Sequence, residues 1–484
     1  MPSSVPLPPL LTSALGLGLE AFVTVRASIA AGIADARAAF ELTVAAPSPD
    51  WGFLVLAGVE PLVDALERLR TRVDELDWLE SVGAIDAPTR RRLAEARFAC
   101  DVDAAPEGSV VFPGEAVLTV EGPFWQAQLI GGLVQAAISD ATLVATRFAR
   151  LSVASLGADL VENGSAIAHR LGGCPQLARA AFVGGAHATT SAVAGRRYGI
   201  PVSAMQPARF DLASGDAERA LRAWLAATPQ GSIVRLDPAR ARALLPRLAE
   251  AIQERARTSV AGWNEGRVAI ELAGGDRIGL AREAAEVFAR AGLAEPSIVV
   301  SGNVDERMVL ELRSEGSPAR AFAVRAEGTP GAAHIAGYEL VAIEDQGDWS
   351  ARLRVGDDVA SSSDPGRKLL VRYVGENGRP LADVAHSTNE RHQRAQGGRF
   401  VDRVTGLAAR LAAVSSAPLR ASAMRAGKRS APPEPPSALR ERALRSVRAL
   451  DEGHRRITSP ARYPVGMSPQ VAALKADLLA RTAT

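Results

Sequence analysis

Residues 267–325 read RVAIELAGGDRIGLAREAAEVFARAGLAEPSIVVSGNVDERMVLELRSEGSPARAFAVR, the most regular pattern in the chain. Three short apolar runs, RVAIEL, SIVVSG and AFAVR, predict buried strands. The amphipathic spacing over Arg277–Gly292 and Val304–Glu315 predicts a helix between each pair of strands. Strands that recur about every 25–30 residues with helices between them indicate βαβ units and a parallel sheet. The sequence therefore predicts an α/β fold.

The helix and strand alternation extends over a middle zone that we assign to residues 126–350. An open doubly wound sheet and a closed (β/α) barrel give the same pattern, and both alternatives stay open at this point. In either architecture, ligands bind beyond the carboxyl ends of the strands. We therefore expect the chemistry in the loops that follow Leu272, Gly302 and Arg325.

The flanking zones have a different pattern. Residues 1–125 combine an amphipathic helix, Val59–Arg70, with short strands on either side of Pro113-Gly114, which indicates a second α/β part. Residues 403–436 are basic and end in a proline-rich run, which is typical of a solvated linker and less often of a site for an anionic partner. Residues 437–484 predict a C-terminal helical region.

The composition is that of an ordinary globular protein of two or three domains, with 484 residues and a net charge of +2. Such a charge gives no argument for binding to nucleic acid or to a membrane. Two cysteines, Cys100 and Cys174, cannot form a disulfide framework or a thiolate metal site. The histidines include no pair at i, i+4, so no metal site is expected. A cytoplasmic location is the expectation, since no signal peptide or uncharged 20-residue span is found near the start.

Three loops of small residues are candidate ligand sites. Gly274-Gly275-Asp276 and Ser301–Glu306 each follow a predicted strand and open a helix, where backbone amides can face an anion. Val183–Ser191 offers the hydroxyls of Thr189 and Thr190 before another helix. The alternative for each loop is a capped helix with a turn glycine.

An ordered series of short blocks resembles the nicotinate phosphoribosyltransferase family from about residue 35 to residue 484. These blocks are WGFLVLAGVE (Trp51–Glu60), APEGSVVFPGE (Ala105–Glu115), VEGP (Val120–Pro123), ATRFAR (Ala145–Arg150), AAFVGG (Ala180–Gly185), AGRRYGIPVS (Ala194–Ser203), PGRK (Pro365–Lys368) and YPVGMS (Tyr463–Ser468).

The resemblance implies a funnel-like, irregular (β/α) barrel packed on a discontinuous α/β sandwich, with residues 351–402 returning to the sandwich. It also implies a homodimer that joins nicotinate to phosphoribosyl pyrophosphate in NAD salvage. The family couples this transfer to ATP hydrolysis through a transiently phosphorylated histidine, with ATP and Mg²⁺ as implied participants and no permanently bound cofactor.

Several family positions are changed in this chain. Ala208 stands at the phosphorylated histidine, and Ala166 and Ile167 stand at a pair of phosphate-binding arginines. Glu271 replaces an arginine, and Arg325 replaces a glycine of a phosphate loop. The positions that match the family are His169, Thr189, Gly275, Asp276, Gly302 and Asp305.

Three arginines lie one or two positions from the lost groups and are candidates to replace them: Arg170, Arg209 and Arg325. A buried arginine needs a counter-charge, so we expect Arg325 to form an ion pair with Glu271. Two interpretations follow from the substitutions. The protein is either a pyridine-nucleotide salvage enzyme with a rearranged site, or a catalytically inactive homologue with a structural or regulatory role.

Overall fold

A computed structural model describes residues 16–164, 174–228, 231–257, 268–325, 335–359, 361–390 and 398–482. The helices are α1 (Leu19–Ala30), α2 (Val59–Arg68), α3 (Val73–Ser81), α4 (Ala87–Glu95), α5 (Phe124–Leu129), α6 (Gly131–Ala154), α7 (Cys174–Gly184), α8 (Ala192–Tyr198), α9 (Ala208–Ser214), α10 (Ala217–Ala227), α11 (Ala241–Arg257), α12 (Arg277–Arg290), α13 (Glu306–Ser314), α14 (Pro436–Ala449), α15 (Glu452–Arg455) and α16 (Pro469–Thr482).

The strands are β1 (Arg37–Val44), β2 (Leu54–Val55), β3 (Asp101–Ala104), β4 (Val110–Val111), β5 (Ala116–Pro123), β6 (Asp159–Glu162), β7 (Ala188–Thr189), β8 (Ser232–Leu236), β9 (Val268–Leu272), β10 (Ser297–Val300), β11 (Ala321–Val324), β12 (Ala336–Asp345), β13 (Asp348–Ala351), β14 (Lys368–Val374), β15 (Pro380–Ser387), β16 (Arg399–Asp402), β17 (Ala408–Arg410), β18 (Ser415–Pro418), β19 (Ala421–Arg425), β20 (Lys428–Arg429) and β21 (Val465–Met467).

The chain forms two compact units. Among the described residues, one holds 147–325, and the other holds 16–146 together with 335–482. The first boundary falls within helix α6, so no change in composition marks it. For this reason the first unit is shorter than the 126–350 expected from the helix and strand alternation.

The first unit contains a parallel sheet with the strand order β7-β6-β11-β10-β9-β8. A segment after α8 joins the two outer strands of this sheet. The amide of Thr189 in β7 donates to Pro201 O, and the amide of Gln206 donates to the carbonyl of Ile233 in β8. Single parallel bridges, Thr189 with Val202 and Met205 with Ile233, accompany these hydrogen bonds. The α/β class and the irregular barrel are thus confirmed, with Pro201–Gln206 closing the ring.

Alternate residues of the strands face opposite sides of the ring, as the two-residue period of a strand requires. Val268, Ile270 and Leu272 pack with residues of α10, α11 and α12, so this face is the outside. Ala269 lies on the other face, in a small apolar cluster with Met205, Ile233, Val299, Ala321 and Ala323. That cluster lines the inside of the ring, below the carboxyl ends of the strands.

The second unit contains two mainly antiparallel sheets. One has the order β13-β12-β1-β5-β3-β19-β20, and the other has the order β17-β16-β21-β15-β14-β18. Strand β1 pairs with β5 on one side and with β12 on the other, where Phe40 is the partner of Leu340. Both ends of the chain therefore contribute to one sheet, which confirms the discontinuous domain.

The basic stretch 403–436 contains strands β17 to β20, and the structure does not show it as a plain linker. Strand β18 pairs with β14, and β19 pairs with β3. Strands β17, β18 and β20 lie at sheet edges, and most of their residues are exposed. Edge strands with polar faces lack the apolar alternation that identifies a strand in a sequence, which is why the stretch resembled a connector.

No helix among the described residues has both the length and the apolar character to cross a bilayer.

Two fully buried carboxyl groups lie beside one arginine in the second unit. Arg372 donates to both oxygens of Asp383, with Nη2 at 2.5 Å from Oδ2, and Nη2 lies 4.0 Å from Glu115 Oε1. Tyr463 also donates to Asp383, and its ring stacks on Phe112. Neither oxygen of Glu115 accepts a hydrogen bond from a described donor. Burial, together with the charge of Asp383, raises the pKa of Glu115 well above its ordinary value.

We expect Glu115→Gln to stabilise the protein increasingly as the pH rises above 5. The native state of the wild type keeps a proton that the unfolded state loses, so its free energy of unfolding falls with pH above the ordinary Glu pKa of about 4.3. The slope for one such group is about 1.4 kcal/mol per pH unit, and it persists up to the pKa of the native state. The glutamine variant lacks this slope, which urea titrations between pH 5 and pH 8 would measure.

Asp383→Asn is the matched control, because it removes the partner of Arg372 and should destabilise the protein by about 3–5 kcal/mol. Parallel stability curves for the wild type and Glu115→Gln would contradict the buried protonated carboxyl group.

Candidate active site

Polar side chains gather inside the ring where the parallel strands end. Arg235 lies two residues after Ile233 in β8, Glu271 two residues after Ala269 in β9, and Ser301 two residues after Val299. The two-residue period places all three on the interior face, just beyond the apolar cluster. We call Arg235, Glu271, Ser301 and the nearby Asp211 the mouth cluster.

Glu271 is the centre of the mouth cluster and is 3% exposed. Its Oε1 accepts a hydrogen bond from Arg235 Nη1 at 3.1 Å and another from Ser301 Oγ at 2.6 Å. Both bonds use Oε1, and no described residue donates to Oε2. Burial raises the pKa of Glu271, opposed by the Ser301 hydrogen bond and by Arg235, while the charge of Asp211 acts in the same direction as burial.

The segment that closes the ring also brings Asp211 to the cluster. Gln206 is buried and donates from Nε2 to Asp211, which lies one turn into α9. Burial raises the pKa of Asp211, while the Gln206 hydrogen bond and the charge of Arg235 lower it. Ala208, which the resemblance predicts at the family's phosphorylated position, is the first residue of α9, and Arg209 follows it; both are exposed.

The predicted ion pair between Arg325 and Glu271 is wrong. Arg325 is exposed and donates from Nη2 to Asn303 Oδ1 at 2.5 Å, whereas Glu271 pairs with Arg235. The register gives the reason. Glu271 is level with Val299, which is level with Ala321, so Arg325 lies four residues farther along. That offset is about 13 Å along the strand direction, and two strands add about 10 Å across the sheet.

Arg325 has a second cation nearby. Arg147 in α6 is buried and donates to the carbonyl of Val304. Burial lowers its pKa, the charges of Glu306 and Asp305 raise it, and the charge of Arg325 lowers it. Arg150 in the same helix pairs with Glu306 at 2.8 Å. The β11 side of the ring edge therefore combines these arginines with the carboxylates of Asp305 and Glu306.

The two glycine-rich loops form capped helices. Asp276 Oδ1 accepts from the amide of Gly279 at the start of α12, and Asp305 Oδ1 accepts from the amide of Met308 at the start of α13, both at 2.8 Å. Gly275 and Gly302 have φ angles of +67° and +105°, which residues other than glycine rarely adopt. These loops match the capped-helix alternative, because each carboxylate accepts a hydrogen bond from a backbone amide in the first turn of its own helix.

Thr189 is fully buried and has its hydroxyl engaged. Its Oγ1 donates to Glu162 Oε2 at 2.5 Å and accepts from the amide of Ser191 at 3.0 Å. Glu162 is also fully buried. This threonine therefore joins β6 to the start of α8.

His169 and Arg170, together with Ala166 and Ile167, lie outside the described residues. The sequence analysis missed Arg235 and Asp211. Arg235 could have been noticed as a charged residue inside the apolar run SIVRL. No sequence pattern indicated Asp211, because α9 has no buried residue and so no apolar periodicity. Among the residues that the structure describes, no group of three His, Cys, Asp or Glu side chains could hold a metal ion.

A parallel barrel with charged side chains at its carboxyl edge is an architecture in which α/β proteins bind small molecules at that edge. Comparison with known proteins identifies the family. The nicotinate phosphoribosyltransferase (NAPRTase) N-terminal domain matches residues 21–139, and the C-terminal domain of the same family matches residues 367–475. The chain belongs to the nicotinate phosphoribosyltransferase family.

Individual relatives agree with this assignment. The chain is 28% identical over 515 residues to the nicotinate phosphoribosyltransferase of Homo sapiens, with 93% of this chain and 94% of the relative covered. It is 26% identical over 352 residues to that of Bacillus subtilis strain 168, covering 72% and 70%. A crystal structure of human nicotinic acid phosphoribosyltransferase superimposes with a TM-score of 0.78 at 24% identity, over 96% of this chain and 99% of that one. This last similarity shows the fold.

We expect Thr189→Val to destabilise the protein by about 1–3 kcal/mol, because the buried Glu162 loses a hydrogen-bond donor. The control is Thr190→Val at the neighbouring position, where the side chain is only partly buried and the expected change is within about 0.5 kcal/mol. Chemical denaturation of both variants measures the difference. Unchanged stability of Thr189→Val with a loss of ligand binding would instead make Thr189 a ligand residue.

Proposed function

We propose that this protein is a phosphoribosyltransferase of pyridine-nucleotide salvage that joins a nitrogen heterocycle to phosphoribosyl pyrophosphate at the carboxyl edge of its barrel. Membership of the family supports the reaction class, since the relatives are named nicotinate phosphoribosyltransferases. The observation that carries the proposal is the exposed guanidinium of Arg325 at this edge, directly after β11. Its charge suits the phosphates of phosphoribosyl pyrophosphate, and the mouth cluster on the β8 and β9 side offers polar groups to the base.

In this proposal the chain's own residues bind and orient the two substrates. Arg325 is exposed and donates from Nη2 to Asn303 Oδ1, which orients its guanidinium. Nucleophilic attack by the ring nitrogen on the ribose carbon would release pyrophosphate with the electron pair of the broken C–O bond. ATP and Mg²⁺ are implied by the resemblance, and Mg²⁺ would neutralise charge on the phosphates when bound.

We further propose that this transfer is not coupled to ATP through a phosphohistidine. Ala208 cannot carry a phosphoryl group, and its methyl side chain is at the exposed start of α9. A homodimer and a cytoplasmic location belong to the same proposal on the strength of the resemblance.

The alternative is a catalytically inactive homologue with a structural or regulatory role. One observation favours it: Thr189, Asp276 and Asp305, which match family positions, all use their side chains in hydrogen bonds within the chain. Binding of phosphoribosyl pyrophosphate separates an enzyme from a protein whose site is closed.

We expect phosphoribosyl pyrophosphate to raise the melting temperature of the wild type and Arg325→Ala to weaken this effect. A ligand at 100 times its Kd stabilises the native state by about 2.7 kcal/mol. Loss of one charge-assisted hydrogen bond of about 1.5–3 kcal/mol would weaken binding roughly 10- to 100-fold. Arg320→Ala is the matched control, since Arg320 precedes β11 and pairs with the exposed Glu295. No shift with the wild type would favour the inactive homologue.

The second expectation concerns the coupling to ATP. Incubation with radiolabelled ATP should give no acid-labile phosphoprotein, and nicotinate should not stimulate ATP hydrolysis. Ala208→His is the informative variant, because it restores a possible phosphoryl acceptor at the same place. Acid-labile labelling of the wild type would show that another residue accepts the phosphoryl group and would contradict the uncoupled transfer.

A further inference from the structure

A pocket lies between two hydrophobic clusters of the second unit. Trp125 and Leu129 in α5 belong to one cluster, and Ile130 belongs to the other. The space measures about 400 Å³, part of it open to solvent, which is at the lower end of the range for small-molecule sites. We call it the arginine pocket, because Arg70 and Arg97 are the two charged residues in an otherwise mainly apolar lining.

The two arginines reach the pocket from equivalent places, since each is the second residue after a helix, α2 for Arg70 and α4 for Arg97. Arg70 Nη1 donates to the carbonyl of Leu69 at 2.6 Å, and Arg97 Nη1 donates to the carbonyl of Ala96 at 2.7 Å. No other group in the described ranges accepts from either guanidinium. Capping of two helix ends therefore accounts for one donor of each arginine and leaves the others free.

The charges of the two arginines are not balanced by a carboxylate. Burial lowers the pKa of Arg70, and the charge of Arg97 lowers it further, with no carboxylate of the described chain opposing them. Both residues are exposed, so an anion can reach them from solvent. Two neighbouring cations at the rim of an apolar pocket favour an anion placed between them.

Other arginines around the pocket have counter-charges. The guanidinium of Arg92 lies 5.7 Å from the centre of the Trp125 ring and pairs with Asp35. Arg72 pairs with Asp74 at 2.8 Å. The last residue of α4 is an exposed glutamate, which does not line the pocket. An excess of positive charge therefore remains at the rim.

The chain that carries Arg97 is fixed by a buried amide. Gln126 Nε2 donates to the carbonyl of Arg97 at 3.0 Å, and Gln126 Oε1 accepts from the amide of Ala99 at 2.7 Å. The polar groups of Gln126 are thus used within the chain, and its neighbours in the lining present apolar surface. A rim held in this way loses little conformational freedom when a ligand binds.

We propose that the arginine pocket binds an amphipathic carboxylate, with a hydrocarbon body against Leu93, Trp125 and Leu129 and the carboxylate between Arg70 and Arg97. The body gains from leaving water, and guanidinium groups match the two oxygens of a carboxylate. This site is in the second unit, whereas the mouth cluster is in the first, so the proposal does not depend on the proposed function.

The test uses octanoate as the probe and calorimetry with the full-length protein. Octanol has the same body without the charge, and acetate has the charge without the body. The wild type should bind octanoate at least 10-fold more tightly than either compound, because only octanoate uses both parts of the pocket. From butanoate to octanoate, the affinity should rise about 4-fold for each added CH₂ group.

Two sets of variants locate the bound acid. Arg70→Gln and Arg97→Gln should each weaken octanoate binding by about 10-fold or more and leave octanol binding unchanged. Arg68→Gln is the matched control, since Arg68 is an exposed residue at the end of α2 that does not line the pocket. A bromine at the far end of octanoate should quench tryptophan fluorescence in the wild type, and Trp125→Phe should lose most of that quenching.

Equal octanoate affinity in the wild type, Arg70→Gln and Arg97→Gln would overturn the proposal, because the acid would then bind elsewhere. Absence of binding at millimolar octanoate would also overturn it. If a second copy of the chain covers the pocket instead, octanoate will not bind and the two arginine variants will have a lower mass in sedimentation, which would replace the ligand site with an interface. Binding of phosphoribosyl pyrophosphate is measured separately, so these outcomes leave the proposed function as it stands.

Discussion

The hydrogen bonds that Pro201–Gln206 makes on both sides are the constraint on which the barrel unit depends. The segment bonds to β7 through Thr189 and to β8 through Ile233, and it does so mainly with backbone groups. Without these bonds, the outer strands of a six-stranded parallel sheet would expose unpaired N–H and C=O groups. The same segment leads directly into α9, so closing the ring also places Asp211 beside Arg235. The segment Pro201–Gln206 therefore both closes the barrel and positions one residue of the mouth cluster.

The edge of this barrel carries different charged groups on its two sides. Strands β8 and β9 supply most of the mouth cluster, in which Glu271 Oε1 accepts hydrogen bonds from Arg235 and Ser301. The far side, after β11, has an exposed arginine and a buried arginine near each other. Charged groups on two sides of one site can orient a ligand that is itself polar from one end to the other.

Much of the fold could be predicted from the sequence, because the spacing of apolar residues in 267–325 shows which side chains are buried. That spacing distinguishes the helices from the strands. The strands β9, β10 and β11 and the helices between them lie where the apolar runs placed them. The site was less predictable. The prediction of an Arg325–Glu271 pair was based on their opposite charges alone. Which side chains are neighbours depends on the register between strands, and the sequence does not show that register. Arg235 was missed because its partner is 36 residues away, and β17 to β20 were missed because exposed edge strands have no apolar periodicity.

The pairing of β1 with β12 has a consequence for synthesis of the protein on the ribosome. Phe40 meets Leu340, so 300 residues separate the two partners, and the entire barrel unit is encoded between them. At about 5–20 residues per second, β1 waits roughly 15–60 s for β12 to be translated. During that time β1 and β5 can pair, but the other edge of the largely buried β1 is open. The nascent chain would thus carry an apolar, unpaired strand edge while the barrel folds, which is the kind of surface that molecular chaperones bind.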